Sequence, residues 1–232
     1  MSRDAILGAI RRGLKRGPLP ADQRAMLAGR LATHPRHLMP ARAQLPRPAQ
    51  VALFLRNVEK EFGTTARVAD AAAVPGAIAD YLAAQNLPSR FVLAPHPELL
   101  GLPWAERPLL EFAARRAEAE DQVAVQHGFA GIAETGTLML PSDPARPTTL
   151  NILPDTAVVV LRASAVHGAY EEAWDALRRA GGGAMPRNVM LVTGPSRSAD
   201  IEQTLELGAH GPRRLHIVLI DDDPAALPAP AA

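Results

Sequence analysis

Three segments gather the side chains able to do chemistry. In Gly128-Phe129-Ala130-Gly131-Ile132-Ala133-Glu134-Thr135-Gly136-Thr137-Leu138, one carboxylate and two hydroxyls sit among glycines and apolar flanks. A glutamate at the end of a buried strand can act as base, nucleophile or hydrogen-bond anchor, and glycine allows a ligand or a sharp turn to come close. The same residues read equally well as a β-hairpin, with Glu134 exposed and the glycines in turns, because an isolated glutamate has no fixed partner. The second segment, Val192-Thr193-Gly194-Pro195-Ser196-Arg197-Ser198-Ala199-Asp200-Ile201-Glu202, places a turn after an apolar strand and before an expected short helix. Free N–H groups at that helix start, with Gly194, Ser196, Ser198 and Arg197, suit a carboxylate or phosphate. Ser198, Asp200 and Glu202 also suit an ordinary capped helix start, and both readings can hold together. It is not a Walker sequence. The third segment, Gly208-Ala209-His210-Gly211-Pro212, holds a histidine able to titrate near neutrality, though a loop histidine is more often polar surface. His127, just before the first segment, is read the same way. The seven histidines show no HxH or HExxH spacing, so no metal site is expected.

Composition narrows the function. The 232 residues suit one sizeable α/β domain, and 47% hydrophobic residues provide a core. With 4% aromatic residues, that core is built mainly from Ala, Leu and Val. A formal net charge of +1, with no basic stripe interleaved with aromatics, argues against nucleic acid as a partner. The chain has no cysteine, which excludes thiolate nucleophiles and Cys-held zinc or iron–sulfur clusters within it. No apolar run reaches the roughly 18–20 residues of a membrane helix, and Met1-Ser2-Arg3-Asp4 does not open a signal peptide, so the expected location is the cytoplasm.

The elements that must position these residues follow from periodicity. Ser2 to Arg16 reads as a helix with Ile6, Ala9, Ile10 and Leu14 in one stripe, broken by Gly17-Pro18-Leu19-Pro20. A second short helix and a proline-bearing stretch from His34 to Pro48 complete an expected N-terminal helical arm and linker, 1–48. From Ala49 helices and strands alternate. Helices are expected at Val51–Phe62, Val74–Asn86 and Tyr170–Ala180, the last stopped by Gly181-Gly182-Gly183. Strands are expected at Arg67–Ala69, Phe91–Ala94, Val123–Gln126, Leu138–Leu140, Thr156–Leu161, Val189–Thr193 and Leu215–Ile220. This order predicts an α/β fold, a mainly parallel sheet flanked by helices, over 49–221. In such a sheet the Gly194 loop is expected at the carboxyl ends of the strands, where ligands bind. The acidic and then Ala/Pro-rich tail, 222–232, is expected to fray.

GIAETGTLML, followed at the right separation by LVTGPSRSADIEQTLELGAHGPRRLHIVLI, resembles the segments that identify the lactate utilization protein C family, whose members carry a LUD domain. The resemblance covers roughly Val123 to Ile220 and implies a fold similar to the NagB/RpiA/CoA-transferase group. It also implies membership of a three-protein system that oxidises L-lactate to pyruvate, in which the two partner subunits carry the iron–sulfur clusters. The absence of cysteine agrees with that division, and no cofactor is expected in this chain. Its expected role is non-redox: binding a small carboxylate, or stabilising the iron–sulfur partners. In the wider fold group CoA transferases use a glutamate in a glycine-containing turn as nucleophile, which Glu134-Thr135-Gly136 loosely resembles. An enzyme of CoA-transferase or ligase type acting through Glu134 is therefore the alternative. After Leu153-Pro154 many members place a histidine before an apolar strand. Here Asp155-Thr156-Ala157 stands there, so no role for that histidine carries over.

Overall fold

Runs of β-branched and aliphatic residues bounded by turns make strands that are buried on both faces, and such strands pair in parallel only when cover is available on each side. The computed structural model describes residues 2–15, 17–201, 204–208 and 210–226, with backbone alone for 198–201 and 204–207. It divides into two compact units, Met1–Leu38 and Met39–Ala232. The first holds α1 (Arg3–Gly13), capped by the Ser2 hydroxyl, and α2 (Ala21–Thr33). Neither helix buries a residue.

The second unit begins its regular structure with α3 (Arg47–Lys60), β1 (Thr64–Val68), α4 (Val74–Ala84), β2 (Arg90–Leu93), the single turn α5 (Pro97–Leu100) and β3 (Glu111–Ala114). There follow β4 (Val123–His127), β5 (Ala130–Ile132), β6 (Thr137–Pro141), β7 (Thr156–Arg162), β8 (Val166–His167) and α6 (Tyr170–Ala180). The last strands are β9 (Val189–Thr193), β10 (Arg197–Ile201), β11 (Thr204–Leu207) and β12 (Arg214–Ile220). Six strands form one sheet in the order β1-β12-β7-β4-β2-β3, with every pairing parallel. Strands β8-β5-β6-β9 form a second, mixed sheet, and β10 and β11 a separate hairpin.

Alternation along β7 and β12 builds two cores. Val158, Val160, Val218 and Ile220 pack with Ile78, Tyr81 and Leu82 of α4. Ala157, Val159, Leu161, Leu215, Ile217 and Leu219 face the other way, onto Val51, Phe54 and Val58 of α3 and Leu138 and Leu140 of β6. Helices thus flank the parallel sheet as expected, but on the second face a small sheet shares the cover with α3.

Three expectations are corrected. The helix expected after Gly194 is a β-hairpin, with Arg197 opposite Leu207 and Ser198 opposite Glu206. Leu205 and Leu207 alternate with Thr204 and Glu206, and this period of two overrides the helix-start residues upstream. The strand before that loop, β9, pairs antiparallel with β6 in the small sheet, so the Gly194 loop does not lie at the carboxyl ends of the parallel strands. The tail is anchored as far as Ala226. Asp221 pairs with Arg67, Asp222 accepts from Ser164, Asp223 pairs with Arg47, and Ala226 is buried. Residues 227–232 of the expected frayed tail lie outside the described residues.

His216 on β12 lies inside the first core, stacked on Tyr81 with ring centroids 3.8 Å apart. Its Nδ1 meets the Thr64 hydroxyl at 2.8 Å, while Nε2 is buried without a partner among the described residues. Burial pushes the imidazole down to about 4. The unfolded chain therefore binds a proton near pH 6.5 that the folded chain refuses until about pH 4. Stability should fall as pH drops through that window, by at most about 1.4 kcal/mol per pH unit from this residue. Urea unfolding at stepped pH is expected to show a shallower decline for His216→Phe than for the wild-type protein.

Candidate functional site

The turn at Glu134 is a hairpin turn and is fully engaged in holding the fold. Residues 133–136 join β5 to β6, and Gly136 adopts φ +69. A Cβ built on Gly136 would stand 2.6 Å from the Val58 nitrogen and 2.7 Å from the Asn57 carbonyl carbon, both backbone atoms of α3. Asn57 Nδ2 in turn donates to the Ala133 carbonyl at 2.8 Å. Glu134 is buried rather than exposed. Its Oε1 accepts from the Tyr170 N–H at 3.3 Å, satisfying one of the open donors at the start of α6, and its Oε2 meets Arg42 at 3.4 Å. Glu172 takes the Gly168 and Ala169 N–H groups at the same helix start.

Thr135 and Thr137 enter a chain of hydroxyls. Thr137 Oγ1 lies 2.7 Å from Thr135 Oγ1, 2.9 Å from the Tyr170 hydroxyl and 2.7 Å from Thr193 Oγ1. Thr137 is wholly buried, so these partners replace water for it.

The second and third sequence segments meet in a cavity of about 280 Å³. Thr193, Gly194, Ser196, Arg197 and His210 line it, over an apolar floor that includes Leu140, Ala157 and Leu215. Glu134, Thr135 and Gly136 are not among its lining residues, and Thr137 reaches it through Thr193. Gly194, at φ +71, brings the loop so close to α3 that a Cβ would stand 2.3 Å from the Glu61 carbonyl. Arg197 Nη2 meets Glu61 at 3.4 Å, and its guanidinium lies over the Phe62 ring, 4.0 Å from the centroid. The Ser196 N–H donates to Pro212, and its hydroxyl oxygen accepts from the His210 N–H. Arg197 opens a strand, so among the described residues no helix start cradles an anion here, and the Ser196 N–H is already engaged.

Sequence reasoning missed two of the cavity's polar residues, Gln126 and Asn151. Gln126 is 5% exposed and lines the cavity from β4. Asn151 Nδ2 finds only the Met190 sulfur, at 3.3 Å. Gln126 looked like one more residue of an apolar strand. The signal was a lone carboxamide in a run otherwise buried on both faces.

A second polar group stands at the carboxyl ends of the parallel strands; sequence reasoning singled out His127 but missed His96, Glu98 and their meeting with it. His96 follows β2 and His127 ends β4, and their rings stack with centroids 3.9 Å apart. Arg146 Nη2 lies 3.0 Å from His96 Nε2 and 3.4 Å from His127 Nδ1. Glu98 Oε2 lies 3.7 Å from His127 Nε2 and 2.8 Å from Arg162 Nε. Burial, and then the nearby His96 and Arg146, push His127 down to about 4; burial and Arg146 also lower His96. Against burial, which would raise it, the Arg162 hydrogen bond brings Glu98 below the usual carboxylate range. The signal in sequence was His96-Pro97-Glu98 directly after a strand.

A family model described as LUD domain matches residues 51–220. The chain belongs to the LUD domain family. Two of its curated relatives are an uncharacterized protein of Neisseria meningitidis, 44% identical over 93 residues, and lactate utilization protein C of Bacillus subtilis, 34% identical over 93 residues. The aligned segments cover 40% of this chain and 40% of the first, and 39% of each for the second, so the chain spans about 40% of the length of the curated relatives it matches. A solved DUF162-family protein of Deinococcus radiodurans shares the fold, with a TM-score of 0.56 at 22% identity, over 76% of this chain and 99% of its own. Of the LUD domain's two family-like segments, the first supplies the turn on α3 and the second the cavity wall.

Because Glu134 anchors α6, Glu134→Gln should keep the Tyr170 contact and lose less than about 1 kcal/mol, whereas Glu134→Ala should lose about 1–2 kcal/mol. Gly136→Ala should cost more than about 1 kcal/mol, since both its φ and its contact with α3 exclude a Cβ. Urea midpoints at pH 7, with unchanged slopes, check all three.

Proposed function

We propose that this LUD domain serves L-lactate utilization as a non-redox component that binds a small carboxylate in the cavity between β4, β9 and the Gly194–Arg197 loop. The observation that carries this reading is Gln126. Its carboxamide belongs to the wall of a cavity with an apolar floor, and its N–H groups can donate to a ligand oxygen there. Arg197 stands at the same cavity with a planar fork able to pair both oxygens of a carboxylate, and its ion pair to Glu61 uses one terminal nitrogen. The Ser196 hydroxyl and the apolar floor complete a site sized for a three- or four-carbon acid.

The metabolic side of the reading rests on the relatives named lactate utilization protein C. Oxidising lactate to pyruvate removes two electrons, and a chain without cysteine has no thiolates to hold a cluster that would accept them. A division of labour follows: separate iron–sulfur subunits carry the electrons, and this chain binds the acid or its product and supports their assembly.

Calorimetric titration with pyruvate and with L-lactate tests the site. Arg197→Ala and Gln126→Leu should each weaken binding about tenfold or more, the effect of losing a charge-assisted or otherwise unmade hydrogen bond. Gln126→Leu should leave the melting temperature close to the wild-type value, because the two side chains are similar in volume. Wild-type affinity in both variants would remove the carboxylate from this cavity.

A further inference from the structure

We propose that His96, Glu98 and His127 form a binding site for a single divalent transition-metal ion, of the Zn²⁺ or Co²⁺ type, at the carboxyl ends of β2 and β4. One ligand atom from each of the three residues lies within 4.8 Å of the other two. Two imidazoles and one carboxylate are the donor set that borderline divalent ions prefer, and three protein ligands leave a further position for water or a substrate oxygen.

The place in the fold is independent of the donor chemistry and points the same way. From β2 the chain next enters the parallel sheet at β3 on one side, and from β4, after β5 and β6 of the small sheet, it re-enters at β7 on the other. The loops leaving these two neighbouring strands therefore part, opening a crevice at the carboxyl edge where open parallel sheets bind ligands. His96 and His127 are the residues at that parting.

The charges around the site come close to balance, and Arg146 is the one that opposes an ion at the imidazoles. Asp143 and Asp222 join Glu98, against the guanidinium groups of Arg146 and Arg162. Three carboxylates against two guanidiniums leave one net negative charge. Arg146 itself bridges the two imidazoles, and this positively charged group stands where the ion would stand. Asp143, in a close ion pair with Arg146, retains it when it swings aside. Around an ion with bonds of about 2.0–2.1 Å the donors must draw closer than 4.8 Å. Glu98, on the short α5 and 45% exposed, has the freedom to do so.

The experiment is titration of the chelator-treated full chain with Zn²⁺ by calorimetry and with Co²⁺ by visible absorption. One ion per chain is expected, with the Co²⁺ bands of a four- or five-coordinate nitrogen and oxygen site. His96→Ala and His127→Ala should each weaken binding at least tenfold, and His210→Ala and His37→Ala should leave it unchanged. Arg146→Met should tighten binding, because it removes the competing cation; a damaged fold would not produce that direction. Zn²⁺ should also shift the imidazole resonances of His96 and His127 in the wild-type protein, a readout that needs no variant. Absence of binding, binding lost with His210 or His37 instead, or weaker binding by Arg146→Met would each overturn the site.

Discussion

The unit from Met39 to Ala226 depends on how closely two backbones approach α3. At Gly136 the hairpin turn touches the helix where no side chain fits, and at Gly194 a second loop meets the carbonyl of Glu61 in the same way. Gly131 adds a third approach, since a Cβ there would meet the Phe54 ring at 2.9 Å. These contacts let the small sheet lie against α3 while α3 lies against β12 and β7. Phe54, fully buried, then fills space bounded by both. Interiors packed at this density have no slack, so the position of the small sheet fixes the wall of the Gly194–Arg197 cavity and the geometry of the hydroxyl chain from Thr135 to Thr193.

That arrangement separates two kinds of polar residue. Glu134, Thr135 and Thr137 spend their hydrogen-bonding capacity on the protein: a helix start, a neighbouring hydroxyl, a strand across the small sheet. Gln126, Ser196 and Arg197 keep capacity that faces a cavity, and His96, Glu98 and His127 keep theirs at the rim of the parallel sheet. The cavity lies beside Ala157 and Leu215, near the starts of β7 and β12, whereas the histidines lie where β2 and β4 end. Gln126 and His127 are nevertheless neighbours on β4, so there the two polar groups are separated by the faces of the strand and answer to different chemistry.

Much of the fold was legible because its signals are local. The apolar runs of β4, β7 and β12, the stripe of α6 and the glycines that end it all declare themselves within a few residues. The family-like segments around Glu134 and Gly194 also marked two structurally constrained loops. Four things were not legible. Ser198-Ala199-Asp200 has the composition of a helix start, and its partner in the hairpin lies further on. Glu111–Ala114 is short and exposed, so neither burial nor alternation announces β3. The pairing of His96 with His127 needs two strands brought side by side across thirty residues of chain, and no spacing rule within one helix or one turn reaches that far. Gln126 was hidden for a related reason: whether a carboxamide faces a cavity is a property of its neighbours.

The parallel pairing of β1 with β12 sets a schedule for how the chain acquires its structure. Thr64–Val68 takes its neighbours from His216–Ile220, some 150 residues later. The first strand of the sheet therefore has no place to dock until the last has been synthesised, and loop closure over that distance makes its incorporation a late and slow event. Until then the edge of β12's future partner is open to other chains. A ribosome pausing in the stretch before Arg214 would hold a nascent chain with α4 and β2 formed and β1 still unpaired, the stage at which a chaperone has the most to protect.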